Sequence, residues 1–170
     1  MRHDRRSVRL PGHDYRLAGA YVVTLCTAHR APILARIHGC GTVEQSLFGR
    51  VVDETWEALP HHVNVRIDAF VVMPDHVHGV LWIENAKEST FEGRRAGHPP
   101  ARSLHSAVGA FKSAVTRRAR REGQWPFDAA FWQRGFYESV VRGPDHLERV
   151  RAYIARNPAQ WAMARDRVTR

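Results

Sequence analysis

The sequence predicts an α+β fold, an antiparallel sheet with helices packed mainly on one face. Three observations carry that prediction. Val63, Val65, Ile67, Ala69 and Val71 alternate with Asn64, Arg66 and Asp68, the period-two pattern of a half-buried strand. Met73-Pro74-Asp75 breaks the run and HVHGVLWI (76–83) resumes it, so the pair reads as a hairpin. Further strand-like and helix-like segments alternate along the chain, in the order β, hairpin, α, ββ, α, β, α.

Each element has a local reason. Residues 1–19 form a basic arm with Arg2, Arg5, Arg6, Arg9 and Arg16 and a Pro11-Gly12 turn. Residues 21–27 (YVVTLCT) are β-branched and aromatic, a first strand. HGCG (38–41) is a turn between two short extended pieces. Phe48, Val52, Thr55, Trp56 and Leu59 recur at helical spacing, and Pro60 follows them. Residues 85–102 carry Gly93, Gly97, Pro99 and Pro100 and read as an exposed loop. Ser103 can cap a helix with the stripe Leu104, Val108, Phe111, Val115 and Ala119. Residues 136–142 (FYESVVR) read as a last strand. Gly143-Pro144 then turns the chain, and Asp145 with Glu148 matches a capping box for a final helix. Pro158 is expected to stop that helix and leave 159–170 as a tail, all within one domain over residues 1–170.

Composition narrows the partners. The 170-residue chain can bury a core without staples, and Cys26 and Cys40 suggest neither a disulfide framework nor a zinc site. No apolar run approaches the roughly 18 residues of a membrane span, and the N-terminus lacks a signal-peptide core. A cytoplasmic protein with no membrane partner is expected. The net charge is +9, and all 26 basic residues except Lys87 and Lys112 are arginine. Such a surplus attracts polyanions, nucleic acid above all. A G+C-rich genome would account for arginine replacing lysine, but less well for the excess of bases over acids.

His76 and His78 stand two apart on a strand, so both imidazoles share one face, either as a pair suited to a divalent metal or as two partly exposed histidines. A further ligand must come from elsewhere. On the final helix, Leu147, Val150 and Ile154 form the buried stripe, while Tyr153 and Asn157 sit one turn apart on its flank. An amide oxygen is a competent ligand for Mg²⁺ or Mn²⁺, and a nearby phenol can attack a phosphate polarised by the same ion. From the residues alone, Tyr15, Tyr21 and Tyr137 are alternative nucleophiles. P-loop, GxSxG and HExxH motifs are absent, so no ATP-driven mechanism is visible.

FVVMPDHVHGVLWI, SLHSAVGAFKSAVTRR, FWQRGFYESVVR and LERVRAYIARNPAQW, in that order, resemble the single-tyrosine HUH transposases, most of all the REP-associated tyrosine transposases. The opening RRSVRLPGHDYRLAGAYVVTLCT also fits, so the resemblance spans about residues 5–163. It implies a ferredoxin- or RRM-like sheet with the histidines on a central strand. It implies His76, His78 and Asn157 as ligands of Mg²⁺ or Mn²⁺, Tyr153 as nucleophile, and a 5′-phosphotyrosine intermediate. The implied substrate is single-stranded DNA with hairpin-forming palindromic repeats, acted on by a monomer or homodimer. Trp132, Gln133 and Arg134 match a WQR motif of structural or DNA-contacting role. Asp75 departs from the asparagine expected in MPNHVH, which adds negative charge near the metal but removes no ligand.

Arg5, Arg6, Arg9, Lys112, Arg117, Arg118, Arg121 and Arg134 are the expected phosphate contacts, with Phe91 or Trp125 as candidate base-stacking residues. Two competing readings are a non-catalytic single-stranded nucleic-acid-binding module and a metal-dependent phosphoesterase whose nucleophile is water.

Overall fold

The computed structural model describes residues 17–84, 103–122 and 125–168. Arg5, Arg6, Arg9, Tyr15, Phe91 and the 85–102 loop lie outside them. The elements are β1 (Gly19–Cys26), β2 (Ala35–His38), β3 (Thr42–Gln45), α1 (Leu47–Ala58), β4 (Val65–Val72), β5 (His76–Ile83), α2 (Leu104–Arg121), β6 (Tyr137–Val140) and α3 (Pro144–Val168). This is the expected order.

Four strands form an antiparallel sheet in the order β4-β5-β1-β6, while β2 and β3 make a separate ribbon. The histidine strand β5 is therefore central, as expected. Its alternation divides the molecule. Val77, Leu81 and Ile83 enter the larger core, shared with Val52 and Trp56 of α1 and Val108, Phe111 and Val115 of α2. Val80 points the other way and packs with Leu147 and Ile154 of α3. Two of the three helices thus share one face, and α3 crosses the other, the face that carries His76 and His78.

Helix α2 starts at its expected serine cap, and α1 starts at a serine cap as well. Ser46 Oγ accepts from the Gly49 amide at 3.1 Å, and Ser103 and Ser106 cap each other reciprocally. Gly79, between the histidines and the apolar end of β5, is required by packing. A Cβ there would lie 2.5 Å from the Trp56 ring, which stacks on Phe70 at 4.4 Å.

Three expectations need correction. The alternation of β4 inverts at a bulge between Ile67 and Phe70. Val65 and Ile67 pack with the larger core, whereas Ala69 and Val71 pack under α3. Helix α3 begins at Pro144, so Asp145 lies inside its first turn rather than capping it. Proline at the first helical position sacrifices no hydrogen bond, since that N–H has no intrahelical partner anyway.

Nor does Pro158 stop α3, which runs on through it to Val168. An interior proline costs a helical hydrogen bond and some strain, about 3 kcal/mol. Burial offsets this, because Pro158 and Ala162 are both covered. The β2–β3 turn comes so close that a Cβ on Gly41 (φ 116°) would sit 2.7 Å from the Ala159 backbone. The segment 159–168 is therefore a continuation of the helix, packed at Ala159 and Ala162.

Candidate active site

His76 and His78 are both buried, and their Nε2 atoms approach to 3.1 Å. Their Nδ1 atoms face away from each other into separate partners. His76 Nδ1 lies 2.6 Å from Asp75 Oδ1, and His78 Nδ1 lies 2.7 Å from Thr24 Oγ1 on the neighbouring strand. An ionised carboxylate only accepts, so the His76 proton sits on Nδ1 and its Nε2 lone pair is free. Thr24 can either accept from or donate to His78, so the second Nε2 can be freed without moving a heavy atom.

Burial, reinforced by the neighbouring His76 and Arg30, holds the His78 pKa down at about 4. Burial also lowers that of His76, against the pull of Asp75. Both rings are thus neutral near pH 7, the form that binds a metal. Two nitrogens about 3 Å apart match adjacent ligands, each about 2.0–2.1 Å from a common cation.

The remaining groups come from α3. Tyr153, Asn157 and Trp161 are four residues apart and so lie above one another on one helix face. The Tyr153 ring meets His78 at 5.4 Å between centroids, and the Trp161 ring meets His76 at 5.8 Å. Asn157 lies between them on the same helix face. It is 7 % exposed. The described residues include no group of three or more His, Cys, Asp or Glu that could hold a metal ion. An amide oxygen completing two imidazoles is a donor set that a divalent cation fits.

Helix α3 is anchored at the β4 bulge, which turns Asp68 toward it. Asp68 accepts from Arg151 through both oxygens, at 2.8 Å from Nε and 2.7 Å from Nη2, and from Trp82 Nε1 at 3.2 Å. The Arg151 hydrogen bond is the main reason that the Asp68 carboxyl stays well below the usual carboxylate range. Its folded pKa is lower than its unfolded one, so the unfolded chain binds more protons in between. The clamp therefore stabilises the fold above about pH 4 and is lost on further acidification. Asp68→Asn is expected to lower the urea midpoint at pH 7, with a gap to wild type that narrows toward pH 3. An equal gap at both pH values would count against the clamp.

The expected DNA-contacting residues divide. Lys112 is spent inside the protein, its Nζ donating to the Gln133 carbonyl at 2.5 Å and to those of Arg134 and Gly135. Arg118 is committed to Glu54 at 2.6 Å and to Thr55 and Glu122. Arg117 and Arg121 are exposed, but on α2, across the sheet from the histidines. Arg134 is exposed on the segment that leads into β6. Trp132 of the WQR motif is core and Gln133 bonds the end of β1, so this motif is mainly structural. Trp125 packs edge-on against Phe48 and Phe131 and donates to Ala129, which removes it as a base-stacking surface.

Among the other tyrosines, Tyr21 is buried with its hydroxyl on Leu17. Tyr137 is exposed and shares the histidine face, opposite Thr24. Sequence reasoning missed Arg149 and Arg156, one turn before and after Tyr153 on α3. Both are exposed and neither has an ion pair or hydrogen bond among the described residues. Spacing from Tyr153 was the available signal.

This architecture matches the structure of a REP-associated tyrosine transposase bound to a REP hairpin, at a TM-score of 0.59 and 16% identity, covering 89% of this chain and 74% of that one. The fold is that of the REP-associated tyrosine transposases, the family whose motifs the sequence resembles. An uncharacterized protein of Haemophilus influenzae is 32% identical over 167 residues, spanning 94% of this chain and 91% of that protein. The chain belongs to the same family as that protein. A candidate transposase structure from Deinococcus radiodurans R1 aligns at a TM-score of 0.44 and 19% identity, over 86% of this chain and 96% of that one. No protein-family model matches the chain. Among the described residues, no helix is long and apolar enough to cross a membrane.

Proposed function

We propose that this protein is a metal-dependent single-stranded DNA endonuclease and strand transferase of the REP-associated tyrosine transposase type, acting on hairpin-forming repeats. The observation that carries the reading is the phenol of Tyr153 set against the buried His76–His78 pair, with the Tyr153 and His78 rings 5.4 Å apart. Mg²⁺ or Mn²⁺ held by His76, His78 and Asn157 would neutralise and orient the scissile phosphate. Tyr153 Oη attacks phosphorus in line, the P–O3′ bond breaks, and the departing 3′ oxygen takes up a proton as the phenol gives one up. The 5′ phosphate stays on Tyr153, so the bond energy is kept for rejoining without ATP. The hairpin bound by the structural relative supports the same class of substrate here.

The test uses single-stranded hairpin DNA labelled at its 3′ end, including repeats beside the protein's own gene, with Mn²⁺ on a denaturing gel. Label carried on the protein band is expected. Cleavage without such a band would favour water as nucleophile, and binding without cleavage would favour a binding module.

Arg149 and Arg156 should grip phosphates on either side of the scissile bond. Replacing either with alanine is expected to weaken single-strand binding, measured by fluorescence anisotropy. Each should flatten the slope of log affinity against log salt by about 0.7. Slopes equal to wild type would remove them from the interface.

A further inference from the structure

Asp75 is buried between two partners. Oδ1 lies 2.6 Å from His76 Nδ1, and Oδ2 lies 3.0 Å from Nε of Arg30. Its main chain is fixed as well, because its carbonyl accepts from the Thr27 amide at 3.0 Å and from Thr27 Oγ1 at 2.9 Å. Arg30 reaches the site from a turn in which His29 and Arg30 both take left-handed conformations, at φ 55° and 57°. Such conformations are disfavoured for residues other than glycine and persist only where their surroundings impose them. Arg30 Nη1 also donates to Cys26 Sγ at 2.9 Å, which fixes the guanidinium from a second side.

The asparagine expected at this place from the resemblance would accept the same hydrogen bond. It would carry no charge and leave Arg30 without its counter-ion. The aspartate and the arginine therefore belong together in this chain. Carboxylates behind metal-binding imidazoles set the tautomer, fix the ring and raise the basicity of the ligating nitrogen.

We propose that Asp75, seated by Arg30, is a positioning residue for the metal site, holding the His76 proton on Nδ1 and aiming a strengthened Nε2 donor toward His78. Its consequence for metal binding rests on the proposed function, whereas the placement of the proton can be measured without any metal.

In metal-free protein labelled with ¹⁵N-histidine, a long-range ¹H–¹⁵N spectrum should show His76 protonated at Nδ1. Asp75→Ala should shift the ring toward a mixture of tautomers. Mn²⁺ affinity, followed by electron paramagnetic resonance, should fall by about 10–100-fold in Asp75→Ala. Asp75→Asn, which keeps the hydrogen bond and loses the charge, should give a smaller loss. Arg30→Gln should leave the Nδ1 proton in place, since Asp75 still accepts it. Circular dichroism and the urea midpoint check that each variant is folded, and Asp75→Asn serves if the alanine variant is not.

An unchanged tautomer together with Mn²⁺ affinity within about twofold of wild type in the Asp75 variants would overturn the proposal. A wild-type protein with the stated tautomer that bound no Mn²⁺ would refute the metal-dependent function and the metal role of Asp75. It would uphold Asp75 as the group that places the proton.

Discussion

Tyr153→Phe is expected to abolish strand cleavage and the protein–DNA adduct while leaving hairpin binding intact. The substitution removes one oxygen from a side chain that is 46 % exposed and keeps the ring that meets His78. Its effect on stability should stay within about 0.5 kcal/mol, the usual range for surface positions. Cleavage has no such tolerance, because in the proposed reaction the oxygen lost is the one that would bond to phosphorus. A fall on the order of 10³-fold or more is expected on a denaturing gel, with anisotropy reporting unchanged affinity. Tyr137 makes this a sharp test, since it is also exposed on the histidine face. An adduct that survives in Tyr153→Phe and disappears in Tyr137→Phe would transfer the nucleophile to β6.

The fold was legible wherever one pattern governed one segment. The period-two run of β5, the stripe of α2 and the cap at Ser103 each depend on neighbours close in sequence, and each is where its pattern places it. The misses are places where a distant contact overrides a local rule. Pro158 reads as a helix stop until the β2–β3 ribbon, more than a hundred residues earlier, is seen packed against the turn that contains it. The bulge in β4 is equally hidden. It lies beside the Asp68–Arg151 bond, which spans a separation that no periodicity records.

The site follows the same division. The HVH pair and the Tyr153–Asn157 spacing are short-range relations, and the fold brings the two together as expected. Trp161 continues that spacing by one more turn, but is lost to view once Pro158 is taken as the end of the helix. Basic charge located nothing by itself. Lys112 and Arg118 sit in a run that reads as a phosphate-binding cluster, yet both fasten internal partners that are distant in the chain. Arg149 and Arg156 looked like ordinary surface charge, and only the position of Tyr153 gives them a role. Net charge states the kind of partner, whereas the fold decides which guanidiniums remain free to meet it.

His78→Ala should separate metal binding from DNA binding. The imidazole supplies one of two nitrogens set 3.1 Å apart, so its removal leaves a single nitrogen and an amide. Mn²⁺ affinity is expected to drop by at least about 100-fold, beyond the usual effect of losing a partner behind a ligand. Metal stabilisation of transition-state charge is worth several kcal/mol, so cleavage should fall by about 10³-fold. The Thr24 hydroxyl loses its partner, but Thr24 is half-buried and water can replace the bond, limiting the cost to about 1–2 kcal/mol. Hairpin binding should persist, because on the proposed reading arginines rather than the histidines would supply the phosphate contacts. Chelation of the wild-type protein should reproduce this behaviour, and added Mn²⁺ should restore cleavage to the wild type but not to His78→Ala. If chelated wild type still cuts at full rate, the pair serves another purpose. Its 3.1 Å approach would then be a hydrogen bond between imidazoles, donated by the Nε2–H of His78 while Thr24 donates to Nδ1, in a site that positions Tyr153 alone.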